Sequence, residues 1–226
     1  MMQDLGNWRG CARPPHQMLE GGFVRLEPLN ADKHGAGLFA ASNVADKKEK
    51  FRWLFESPPQ DEASYIDWVR GEAAKTDPLY YAVIDLSSGK VAGRQALMRI
   101  DAGNGAIEIG SIYWGPLVAG QRGATEALYL FMKHAFEDLG YRRFEWKCNN
   151  DNAPSKRAAK RFGFSYEGLF RQHMVIKGEN RDTAWFSIID SEWPALKADY
   201  EQWLAPENFD ANGQQKQRLG VFLGKG

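Results

Sequence analysis

The residues best suited to chemistry fall between 106 and 190 of a 226-residue chain. Ala119-Gly-Gln-Arg-Gly-Ala-Thr-Glu-Ala127 follows the apolar run Ile109-Gly-Ser-Ile-Tyr-Trp114 and opens an amphipathic helix. A strand feeding a small-residue loop into a helix is a way to hold phosphates. The first N–H groups of a helix lack partners and carry the positive end of its dipole, and Gly lets the backbone approach an anion. The segment is not a P-loop, since no Gly-Lys-Ser or Gly-Lys-Thr occurs, and it lacks Gly-x-Gly-x-x-Gly. Glu108 precedes it on the strand between Ile107 and Ile109, where apolar neighbours raise a carboxyl pKa into the range of a general base. Glu126, in the first helical turn, reads as a dipole and capping partner. Asn152 and Ser155 have the spacing of a helix cap. His173 could titrate near neutral pH, and Arg181 and Asp182 are expected to pair across a turn.

The elements that must position these groups follow from period and punctuation. Phe23–Pro28 alternates as a first strand, and a helix is expected from Asn30 to Ser42. Ser57-Pro-Pro-Gln-Asp-Glu62 reads as a cap, first-turn prolines and acidic residues opening a second helix. Leu79–Leu86, Val91–Asp101 and Ala106–Trp114, separated by Gly-containing turns, predict an antiparallel meander. A helix over Gly123–Leu139 ends at Gly140, a strand covers Arg143–Asn149, and a short helix follows Asn152. Arg171–Ile176 and Thr183–Ile189 predict a hairpin, and Ser191 should cap a last helix to Leu204. One strand–helix–strand crossover inside an otherwise antiparallel order is an α+β plan. The expected division is an arm (1–21), a main α+β domain (22–204) and a polar tail (205–226).

Composition excludes some classes of function. Lys plus Arg and Asp plus Glu balance at 29 each, so no global charge draws the chain to nucleic acid or anionic lipid. The basic run Lys156, Arg157, Lys160, Arg161 remains as a local patch or a solvated helix face. Cys11 and Cys148 give neither a disulfide framework nor zinc spacing, and no metal is expected. Cys148 alternates with Phe144 and Trp146 and should face the core. No apolar run reaches membrane-span length and the first residues lack a signal pattern, so the expectation is cytoplasmic.

The loop and the helix it opens resemble the GNAT acetyltransferases, in the branch of ribosomal-protein N-terminal acetyltransferases, where Ala-Thr-Glu-Ala commonly opens the helix. The family's loop reads Gln or Arg, two residues, Gly, one residue, Gly or Ala. Here Ala119, Arg122 and Ala124 take those three places, so only Ala124 conforms and the Gln moves to Gln121. Asn152-Ala-Pro-Ser155 with Gly163-Phe164 is similar to the second motif. The resemblance, spanning roughly 22–200, implies a mostly antiparallel sheet flanked by helices, with a V-shaped cleft between the fourth and fifth strands. It implies acetyl-CoA as cosubstrate, held by Gly120, Gln121, Arg122, Gly123, Ala124 and Thr125 at the pyrophosphate. Ile112, Tyr113 and Trp114 would meet the thioester, and Asn152 the pantetheine arm. Ser155 would lie near the sulfur and Glu108 would be the base, while His173 and Asp182 would wall the acceptor pocket. The implied reaction is direct acetyl transfer to a primary amine, such as a protein N-terminus. The alternatives are a small-molecule acetyltransferase (antibiotic, polyamine or amino acid) and a non-catalytic acyl-CoA-binding module. A homodimer is compatible with the resemblance.

Overall fold

Apolar residues at every second position build one sheet, in a computed structural model that describes residues 5–211 and 213–223. Its strands are β1 (Leu19–Glu20), β2 (Val24–Pro28), β3 (Leu79–Asp85), β4 (Val91–Asp101), β5 (Ala106–Trp114), β6 (Arg143–Asn149), β7 (Ser165–Ile176) and β8 (Glu179–Ile189). Among the described residues the spatial order is β1-β2-β3-β4-β5-β6-β8-β7. Neighbours run antiparallel except β5 and β6, which are parallel. This is the α+β plan expected from the sequence. The parallel pair needs a crossover, supplied by α4 (Arg122–Lys133) and a π-helical turn over His134–Asp138.

The sheet separates two apolar clusters. On one face Val24, Leu26, Ile107, Ile109, Phe144, Trp146 and Phe186 pack with α4, with α5 (Ala153–Arg161) and with α6 (Trp193–Leu204). On the other face α1 (Ala31–Ser42) and α3 (Glu62–Ala73) cover Tyr80, Ala82, Ile84 and Ala96 of β3 and β4. A short α2 (Lys47–Lys50), with no periodic signal in the sequence, lies between α1 and α3. On that second face β5 and β6 carry the buried polar groups Glu108, Glu145 and Lys147 in place of an apolar surface. That polar floor is where the site forms.

Several boundaries differ from the sequence reading. Helix α3 is capped by Asp61, whose carboxylate accepts the Ser64 N–H at 2.8 Å, so the prolines precede the helix and Ser57 is not its cap. Helix α6 begins at Trp193 without a side-chain cap, so Ser191 does not play that part. Strands β7 and β8 are longer than expected, because apolar alternation is broken on the exposed face of β7 while pairing with β8 continues. The segment after Leu204 is polar in composition. It nevertheless sends Phe209 and Leu219 into the core, with a short α7 (Leu219–Phe222). Among the described residues no helix is long and apolar enough to cross a membrane.

Candidate active site

The ladder between β5 and β6 runs from Ala106 opposite Arg143 to Ile109 opposite Trp146, and there the strands part. Beyond it, the β6-facing edge of residues 110–114 has no strand partner among the described residues. The register of β5 on β4 shifts at the same place, and Ser111 takes a positive φ of 49°. For a residue with a side chain that conformation is strained and persists where neighbours over-determine it. Arg94 does so here. Fully buried, it donates to the Ser111 carbonyl at 2.6 Å, pairs with Glu56, and stacks on the Trp68 ring at 4.7 Å. One side chain thus ties the bulge to the loop between α2 and α3. The opened strands and that loop enclose a cleft of about 560 Å³.

At one end of this opening the chain turns into α4. Gly115, Val118 and Gly120 shape the turn, with Gln121 N–H donating to the Val118 carbonyl at 3.0 Å and Gly120 at φ 72°. The N–H groups of Arg122 and Gly123 find no acceptor among the described residues, as first-turn donors do not. Gly123 is required for packing, since a Cβ there would stand 2.9 Å from Val24 Cγ1. The side chains of the loop are otherwise engaged. The Arg122 guanidinium lies 4.0 Å over Phe23 and 5.4 Å from Phe209, so it serves packing. Buried Thr125 accepts from Arg161 at 3.3 Å. Ala124 is buried and Gln121 is exposed. What this loop offers an anion is therefore backbone. Glu126 turns the other way, its carboxylate accepting the N–H groups of Gly22, Phe23 and Val24 at 2.8, 2.7 and 2.8 Å.

On the cleft floor Glu108 is 2% exposed. Arg99 Nη1 donates to both its oxygens at 2.8 Å, and Lys147 Nζ stands 3.0 Å away. Burial pushes the Glu108 carboxyl above its ordinary pKa, against the opposing pull of Arg99 and Lys147. Lys147 is shared with Glu145 at 2.6 Å and sits 3.8 Å over the Trp185 ring. Glu145 in turn binds Arg143, which reaches Glu167. The charges therefore alternate along the floor.

The opposite wall is the start of α5. Asn152 caps it, its Oδ1 accepting the Ser155 N–H at 3.1 Å, which leaves the amide NH₂ free toward the cleft it lines. Ser155 Oγ accepts from the Trp146 indole at 2.9 Å, so its own proton remains available to donate. Cys148 is buried beside it, and burial raises its thiol pKa. A neutral thiol is a poor nucleophile.

The predicted site residues thus divide. Glu108, Ile112, Trp114, Asn152 and Ser155 line one cleft. Tyr113 turns its ring away, donating to the Ala41 carbonyl at 3.0 Å, so only its backbone could serve. His173 is exposed on β7 and bonded through Nδ1 to Thr183 Oγ1 at 2.9 Å, off the cleft lining. Asp182 accepts from Gln172 N–H and Asn180 and does not pair with Arg181. It borders a separate surface hollow with Arg171. Sequence reasoning missed Arg99, Lys147 and the wall formed by Asp46, Trp53 and Phe55, and it expected Arg181, which lines the cleft, to pair with Asp182. The alternation Arg143, Glu145, Lys147 was a visible signal of a charged sheet face, but the Trp53–Phe55 wall had none in sequence. Among the described residues no group of three or more His, Cys, Asp or Glu side chains could hold a metal.

Comparison with known proteins bears on the family and the fold. Residues 24–165 match the family described as Acetyltransferase (GNAT) domain. A GCN5-related N-acetyltransferase from Brucella melitensis is 61% identical, with 97% of this chain and 100% of that chain covered and a TM-score of 0.96. A GNAT-family structure from Chromobacterium violaceum ATCC 12472 is 40% identical over 86% of this chain and 97% of its own, with a TM-score of 0.79. The Bacillus subtilis (strain 168) protein named "Putative ribosomal N-acetyltransferase YdaF" is 27% identical, covering 76% of this chain and 92% of its own length.

Proposed function

The chain belongs to the GNAT acetyltransferase family, and from that premise we propose that it moves an acetyl group from acetyl-CoA to a primary amine by direct attack in the cleft between β5 and β6. The observation that carries this reading is Glu108, a buried carboxylate on the cleft floor where the two strands part. The residues present fit the cosubstrate. Free N–H groups at Arg122 and Gly123 suit a pyrophosphate, the unpaired edge of 110–114 suits an extended arm, and Asn152 offers an amide to it. Bound there, acetyl-CoA supplies an activated thioester. Backbone N–H groups along 112–114 then polarise its carbonyl. Glu108 takes the proton of the incoming amine, directly or through water, and the Ser155 hydroxyl donates toward the departing sulfur. Attack by the amine itself is favoured over an acyl-cysteine, because the Cys148 thiol is held neutral.

A protein N-terminus is the leading acceptor. An α-amine titrates near ~8 and is partly neutral at pH 7, while a lysine near ~10.4 asks more of the base. The name carried by the Bacillus subtilis relative points the same way. Two unpaired cysteines suit a cytoplasmic setting. The test is acetyl-CoA turnover, read by thiol release, against peptides and small amines, beside thermal unfolding with coenzyme A. Ligand at one hundred times its dissociation constant should add about 2.7 kcal/mol. Stabilisation without turnover on any amine would favour a non-catalytic acyl-CoA-binding module. No stabilisation at millimolar ligand would remove both readings.

A further inference from the structure

Among the described residues, one cation lining the cleft is left over when the charges of the floor are paired. Arg99 and Lys147 hold Glu108, Lys147 and Arg143 hold Glu145, Lys50 meets Asp46, and Arg94 meets Glu56. Arg181 on β8 is 7% exposed and lines the same cleft. Its Nε donates to Thr183 Oγ1 at 3.1 Å, and the Phe55 ring covers it at 5.5 Å. Among the described residues no Asp or Glu oxygen lies within 4.0 Å of it, and its Nη groups take no acceptor. The neighbouring Asp182 is bonded elsewhere, and Glu49 sits on the exposed rim. A largely buried guanidinium with no carboxylate beside it is costly, and an anion entering the cleft would offset that cost. Arg181 and Glu108 line the same cleft, so an anion bound at Arg181 shares that cleft with the base.

We infer that Arg181 is a specificity-determining residue that binds a carboxylate of the acceptor, making the substrate class an amine that also carries a carboxylate. The inference rests on the acetyl-transfer reading for what occupies the cleft. A planar fork of donors matches a carboxylate bidentately and would fix the acceptor with its amine toward Glu108. It also resolves an electrostatic difficulty. With Arg99 and Lys147 held by Glu108 and Glu145, the unpaired charge of Arg181 disfavours a purely cationic amine, while a zwitterionic acceptor brings its own counter-charge. The carboxylate can be that of a small amino acid or an Asp or Glu side chain near a peptide N-terminus.

Matched acceptor pairs separate these. One arm compares amino acids with their amides, the other compares short peptides differing only in Asp against Asn at the second residue. Both kcat/KM and calorimetric binding to the coenzyme A-saturated protein are measured. The acidic member should be preferred by about 10-fold or more in the arm that names the source. Arg181→Gln should collapse the ratio of acidic to neutral acceptor to about unity. Arg181→Lys, which keeps the charge without the fork, should lower it partway. Coenzyme A binding by each variant checks the fold, and the Lys variant carries the test if the Gln variant does not fold. Equal use of acidic and neutral acceptors in both arms, or a preference untouched in the variants, overturns the inference while leaving acetyl transfer in place. Selective binding of the acidic member without any transfer upholds the anion site and overturns the transfer reading.

Discussion

In the proposed reaction Glu108 is the general base, and its surroundings make opposite demands on it. Burial favours its neutral form, whereas Arg99 and Lys147 favour the carboxylate that a base must be. Because burial sets its pKa above the usual value, the active ionised form is gained as pH rises. With an acceptor amine of low pKa, kcat/KM should therefore climb on the acid side and then level. Glu108→Gln should cut turnover by about 10²-fold, remove that acid limb and still bind coenzyme A. An unchanged acid limb in the Gln variant would assign it to another group. Cys148 was legible as core from the alternation of its strand, whereas the ring of Tyr113, expected at the thioester, is turned away to the Ala41 carbonyl. The pairing of Glu108 was not legible, because Arg99 comes from β4 and Lys147 from β6.

At the scale of elements, two carboxylates hold the frame behind the site. Glu126 of α4 satisfies three backbone N–H groups at the β1–β2 turn, and charge-assisted bonds of that kind are strong. Glu126→Gln should destabilise the protein by about 2–3 kcal/mol, seen as a lower urea midpoint with an unchanged slope. A midpoint shift near zero would mean that the turn closes without this anchor. Glu27 joins β2 to α1. Burial opposes its charge, but hydrogen bonds from Lys33, His34 and Arg25 overcome this and hold its pKa down at about 2. His34 accepts the Asn30 N–H at Nδ1, so Nε2–H donates to Glu27 at 2.9 Å. A folded pKa of about 2, below the ordinary 4.5, gives stability that is full above the ordinary value and lost as pH falls toward 2. Glu27→Gln should flatten the acid side of the stability curve in that window. An equally steep loss in the variant would place acid sensitivity elsewhere.

At the scale of the molecule, the chain after Leu204 contributes to the fold. Phe209 packs edge-on to Trp203 at 5.2 Å and to Phe23 at 6.3 Å, and stands beside Arg122. Leu219 is fully buried. Ending the chain at Leu204 exposes both pockets and should cost about 3 kcal/mol or more, a fall in melting temperature of about 6 °C or more. Since Arg122 opens α4, coenzyme A affinity should fall with it. A truncated protein with the parent melting temperature would show these contacts to be dispensable.

The local pattern of the sequence determined most of the elements and their order. Period-2 runs placed β3 to β6, and the small-residue loop placed the start of α4. Asn152 with Pro154 announced α5, and together these carried the family and the α+β plan. Those features are written in residues close along the chain, where pattern has a direct physical meaning. What only the tertiary structure decided was the partnership of groups distant in sequence. Arg122 has the position of a phosphate ligand and is instead sandwiched against Phe23 and Phe209. His173 and Asp182 have the positions of pocket residues and stay off the cleft lining, while Arg181 between them lines it. A strand places alternate side chains on opposite faces, but the bulges of β7 and the parting of β5 from β6 decide which face becomes the cleft.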